Sequence, residues 1–146
     1  MEKDRKELKT LSILILALVA FSLVKLIVDV CVNGIPQITQ IPQGLTKEIV
    51  DVIVIITLAL TCVAFLPEIY IGIKGIRVAN NNAKGKAHLV WAIILIVFSV
   101  IAVAGGISKL VNNVDAMNII DLFDVVLDVL LYVAYFVYAR RIAKAN

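Results

Sequence analysis

The sequence predicts an all-α membrane protein, a four-helix transmembrane bundle with cytoplasmic N- and C-termini. Three observations carry that expectation. Of the 146 residues, 62% are hydrophobic and the mean hydropathy is +1.01, whereas soluble domains hold about 45–50% apolar residues. The apolar residues gather in four runs, each long enough as a helix to cross a hydrocarbon core about 30 Å thick. The basic residues gather outside those runs, at the termini and in the middle connection.

Span one covers about residues 8–32 and follows a basic tail. A secretory signal begins the same way, but this apolar region exceeds a signal core and no small-x-small site precedes Gly34, so a retained anchor is expected. LIVDVC also lacks the small residues that precede a lipidated cysteine. The breaker-rich NGIPQITQIPQG, 33–44, ends the span. Within it IPQITQIPQ is a short near-repeat, expected to rest on the headgroups or cap the bundle, with partner recognition as its second reading. Span two covers about 49–73. Pro67 is expected to bend it, and Glu68, about 9 Å along the helix from Lys74, to snorkel to the inner interface, with a gating role as its second reading. ANNNAKGKA, 79–87, leads to span three, about 88–111, where Trp91 is interfacial and Gly105 and Gly106 beside Ala102 and Ala104 suit close helix packing. NNVDAMN, 112–118, precedes span four, about 118–139. There Tyr138 is expected at the interface, and Tyr135 to donate a hydrogen bond inward. No connection is long enough to hold a domain, so residues 1–146 read as one integral membrane domain.

Orientation follows from the basic residues, which resist translocation in short loops. Lys3, Arg5, Lys6 and Lys9 precede span one; Lys74, Arg77, Lys84 and Lys86 lie around the middle connection; Arg140, Arg141 and Lys144 end the chain. These are eleven of the 14 Lys and Arg residues. Only Lys47 and Lys109 belong to the opposite edge, while Lys25 lies inside span one. Both termini are therefore expected on the cytoplasmic side of a cell membrane that the chain crosses an even number of times. The net charge of +3 is accounted for by these orienting residues and by contact with anionic headgroups, and needs no nucleic-acid partner.

Chemical motifs are sparse. Cys31 lies near the outer end of span one and Cys62 about thirteen residues, roughly 20 Å, into span two, whereas bridged α-carbons approach within about 7 Å; both are expected to pack as small apolar residues. His88, the only histidine, stands among Lys84 and Lys86 without a nearby cluster of further ligands, and is expected to be solvated at the interface. HExxH, GxSxG, Walker and dinucleotide motifs do not occur. No catalytic residue, metal or cofactor is therefore expected, and an enzyme is not. LPEIYIGIK, 66–74, resembles over nine residues the proline–glutamine motif of PQ-loop and semi-SWEET sugar transporters, with Glu68 at the glutamine position. Those proteins use three-span repeats, and membership is not assigned; small multidrug transporters are similar in span number but carry a first-helix glutamate that has no counterpart between Leu11 and Val24.

Charges inside spans carry the most information, because the bilayer makes each one costly unless it is paired, buried or wetted. Asp121, Asp124 and Asp128 follow i, i+3, i+7 spacing and form one stripe on span four, with Asp128 nearest the midplane. An Asp at the helix centre costs about 2.5–3.5 kcal/mol on the insertion scale, so the three together reach about 10 kcal/mol, against roughly 4–8 kcal/mol contributed by the thirteen Leu, Ile, Phe and Val residues between Ile119 and Val137. The stripe should therefore face the bundle interior. Ser22, Lys25 and Asp29 form a similar stripe on span one. Span two offers Asp51, Thr57 and Thr61, and span three Ser99, Gly106 and Asn113 with Lys109 beside them. Lys25 and Lys109 match the heights of Asp121 and Asp124, so ion pairs are expected there. Two lysines do not neutralise Asp29, Asp51, Asp121, Asp124 and Asp128, and the surplus acid calls for protonation, water or a bound cation.

Two readings follow. In the first, Asp128, Asp124, Asp121, Asp29, Asp51, Lys25 and Lys109 line a pathway for protons or cations in a small transport or channel protein, acting as a homo-oligomer if one copy leaves too little room for a pore. In the second, the buried charges are structural and the chain is a non-catalytic interaction or regulatory subunit that pairs with another membrane protein.

Overall fold

A computed structural model describes residues 2–34, 46–81, 85–111 and 119–145. Among these residues the chain is all-helical, in the order α1 (Glu2–Asn33), α2 (Lys47–Ala79), α3 (Ala87–Val111) and α4 (Ile119–Ala145). All four helices are long and apolar enough to cross a membrane. The near-repeat at 35–43 and the connection before α4, 112–118, lie outside the described residues, as do the side chains of Lys109 and Asp121.

α1, α2 and α4 run beyond their apolar stretches, whereas α3 matches its own. Glu2 and Asp4 occupy the first turn of α1, where negative charge complements the helix dipole, and Arg77 occupies the last turn of α2, where positive charge does so. Pro67 does not end α2, which continues unbroken from Lys47 to Ala79. Thr57 and Thr61 satisfy their hydroxyls locally, donating to the Ile53 carbonyl at 2.8 Å and the Thr57 carbonyl at 2.9 Å. These outward-facing threonines therefore need no polar neighbour.

α1 packs most extensively on α2 and α3 on α4, while α1–α4 and the lighter α2–α3 contacts close the ring. An ion pair of 3.7 Å between Asp4 and Arg141 brings both chain termini to one end of the bundle, here called the termini end. Most buried side chains lie towards that end, among them Leu8, Ile15, Ile71, Ala92, Tyr135 and Ile142. Towards the distal end Val50 and Gly106 are buried, but most of α1 beyond Val19 and of α2 before Phe65 is exposed. The exposed surface is apolar: Phe21, Leu60, Phe98 and Phe123 are all more than 60% exposed. An apolar surface this extensive suits lipid rather than water.

Close packing depends on a glycine pair in α2. A Cβ at Gly72 would meet Leu16 Cγ at 2.6 Å, and one at Gly75 would collide with Ser12 Oγ and lie 2.6 Å from Tyr135 Cε2. Their missing side chains let α1 and the Tyr135 ring approach the α2 backbone. The glycines of α3 behave differently: Gly106 is buried, but Gly105, expected in a helix contact, has only open space around its Cβ position. Ser12 is fully buried yet satisfied, donating to the Leu8 carbonyl at 2.7 Å.

Candidate functional site

Where the packed core gives way to the more exposed distal half, α1, α2 and α4 enclose a recess of about 70 Å3. That is room for a few water molecules. Its polar lining is Ser22 from α1, Glu68 from α2 and Asp128 and Tyr132 from α4, set among Ile15, Val19, Phe65 and Leu131. The helical repeat explains the convergence. Asp128 and Tyr132 are four residues apart and share one face of α4, while Glu68 lies seven residues before Gly75 on the packed face of α2. Tyr132 and Asp128 are both near enough to Glu68 to act on its carboxylate electrostatically.

Two carboxylates at one poorly hydrated position repel each other, and a proton or cation between them removes the repulsion. Tyr132 and Ser22 place two hydroxyls on the wall of the same recess. Among the described residues, no group of three His, Cys, Asp or Glu side chains comes together as a metal site.

Asp128 thus lines the recess beside Glu68, a residue expected first at the inner interface. Eleven residues of helix, about 16 Å, separate Glu68 from the end of α2 at Ala79, and the packed face of α2 turns its side chain inward. Asp124 lies one turn from Asp128, near enough to act on it electrostatically, but is itself exposed. Lys25 and Asp29 continue the Ser22 stripe of α1 towards the distal end and are also exposed, as is Asp51 near the start of α2. No ion pair joins Lys25 to Asp124, contrary to the expectation from their heights. The contributions of Lys109 and Asp121 lie outside the described residues.

Below the recess, towards the termini end, the path is closed. The Tyr135 hydroxyl donates to the Ile71 carbonyl at 2.9 Å, the inward hydrogen bond expected for this residue. Its ring meets His88 edge-on, with centroids 6.3 Å apart and planes at 89°. His88 is 1% exposed, which corrects the expectation of a solvated interfacial side chain: α3 begins at Ala87 and its first turn directs the imidazole against Tyr135. The Gly85 backbone is near, but neither ring nitrogen has a hydrogen-bond partner among the described residues. Cys31 and Cys62 are free and exposed, so they face outward instead of packing inside.

No family model, curated protein or solved structure matches the chain.

Proposed function

We propose that this chain is a multi-pass cell-membrane protein that moves protons or cations, with Glu68 and Asp128 as the paired acceptor at the base of an outward-opening cleft. The observation that carries this reading is the convergence of two carboxylates on one recess, from different helices that are each long and apolar enough to cross a membrane. Acids inside a membrane are costly, and a changing proton or cation occupancy gives such a pair a use.

The surroundings support a direction of access. Ser22, Lys25 and Asp29 follow one stripe of α1, and Asp124 lies one turn beyond Asp128 on α4; the exposed Lys25, Asp29 and Asp124 would give the pair a charged approach from the distal end. The Tyr135, Ile71 and His88 packing closes the other side. Both termini and the basic ends of α2 and α4 share the closed end, and basic residues mark the cytoplasmic side of short connections; the cleft then opens outward.

The test is flux in proteoliposomes under an imposed proton or monovalent-cation gradient. Wild-type protein is expected to dissipate the gradient, and Asp128→Asn and Glu68→Gln each to reduce the rate at least about tenfold while remaining helical and monodisperse. Equal flux in wild-type, both variants and empty liposomes overturns the reading.

A further inference from the structure

We infer that the groove between α2 and α3 is a binding site for one anionic phospholipid, with an acyl chain along the groove and the headgroup at its basic mouth. The groove has a volume of about 370 Å3 and is lined by Val63, Leu66, Pro67 and Tyr70 of α2 and Trp91 of α3. It lies on a different face of α2 from the glycines and Glu68 that point into the bundle, and it follows from the light packing of α2 on α3. Pro67 contributes a second reason for a filled groove. It removes the amide that would bond the Val63 carbonyl, and that interruption falls within the groove lining.

Charge identifies the occupant. At about 100° per residue, Lys74 and Arg77 continue the Val63, Leu66, Pro67 and Tyr70 face towards the termini end. Lys74 is partly buried and lies near enough to His88, in the first turn of α3, for their charges to interact; Trp91 is one turn further along α3. The apolar slot thus leads to a cationic mouth flanked by Tyr70 and Trp91, side chains suited to the depth where acyl chain meets headgroup. No acidic residue occurs in the sequence from Ile69 to Val114, so none from these segments opposes an anion at that mouth. Basic pockets between spans on the cytoplasmic side hold anionic headgroups in this way. The apolar slot distinguishes a phospholipid from a free phosphate, which has no chain to place there. The inference is independent of whether the Glu68 and Asp128 recess transports anything.

The test uses the full-length protein in a mild neutral detergent, with retained lipid counted by native mass spectrometry after titration with phosphatidylglycerol or phosphatidylcholine. One phosphatidylglycerol per chain is expected in preference to phosphatidylcholine. Each basic residue near an anionic headgroup contributes about fivefold in affinity, so Lys74→Gln with Arg77→Gln is expected to lower it about 25-fold. Lys3→Gln with Lys6→Gln, which removes the same charge elsewhere, is expected to leave it unchanged. Val63→Trp fills the slot with both basic residues intact and is expected to abolish retention, while inorganic phosphate is not expected to compete. Circular dichroism checks that every variant keeps its helicity. The inference is overturned by equal retention of the two lipids, by undiminished retention in the Lys74 and Arg77 double variant or in Val63→Trp, by an equal loss in the Lys3 and Lys6 control, or by competition from free phosphate.

Discussion

Tyr135 reaches across the bundle from α4 and donates a 2.9 Å hydrogen bond to the Ile71 carbonyl of α2, over the position that Gly75 leaves without a side chain. The ring occupies the space a Cβ would need, 2.6 Å from its Cε2. One tyrosine and one glycine thereby join the two helices that also supply the carboxylate pair, one to two turns away. Gly75→Ala should therefore destabilise the protein by about 1–3 kcal/mol, the range for an overpacked core. Gly105→Ala, placed in open space, should be neutral or stabilise by up to about 1 kcal/mol through reduced backbone freedom. Reversible unfolding in mixed micelles distinguishes them; equal effects would show that Gly75 is not a contact point.

Tyr135→Phe isolates the hydrogen bond from the packing. Hydrogen bonds between membrane helices contribute on average about 0.6 kcal/mol, and the Ile71 carbonyl can keep its intrahelical partner. A loss of about 0.5–1 kcal/mol is expected in the same unfolding measurement, well below that of Tyr135→Ala, which also empties the core.

His88→Leu should leave stability unchanged or raise it. Neither imidazole nitrogen has a hydrogen-bond partner among the described residues, and a buried group left so costs about 1–3 kcal/mol of desolvation, which an apolar side chain of similar size avoids. The lost edge-on contact with Tyr135 offsets about 0.5–1.5 kcal/mol of that gain. A fall of more than about 1 kcal/mol would show that a ring nitrogen is paired.

Glu68 and Asp128 should be energetically coupled. In a double-mutant cycle of Glu68→Gln and Asp128→Asn, the two single effects on stability are expected to miss the double effect by about 0.5–3 kcal/mol, as for residues in direct interaction. Asp51→Asn, far along α2 from the recess, serves as the control and should add to either within about 0.5 kcal/mol.

Asp4→Asn should cost less than about 1 kcal/mol and become neutral at high salt, because the Asp4–Arg141 pair is solvent-accessible, with Arg141 63% exposed. Arg141 also lies 5.6 Å from the centre of the Tyr138 ring. Thermal unfolding at two salt concentrations reads the effect.

The four helices, each long and apolar enough to cross a membrane, were determined by the sequence alone, because apolar runs of this length favour a backbone that bonds within itself. The prominence of Asp128 was legible too, since a charge amid such a run stands out without any partner being known. The partner was not. Glu68 lies close to Lys74 in the chain, and height along a helix says nothing about which way a side chain faces, so its turn towards Asp128 came from the packed face set by Gly72 and Gly75. The same limitation applies to His88, whose basic neighbours suggested solvent until the first turn of α3 placed it against Tyr135. Lys25 and Asp124 show the converse: matched heights suggested a pair, but both side chains are exposed and do not join each other. Helix formation is local and can be read residue by residue, whereas rotation and separation of helices depend on which faces close together, and here α1, α2 and α4 decided that jointly.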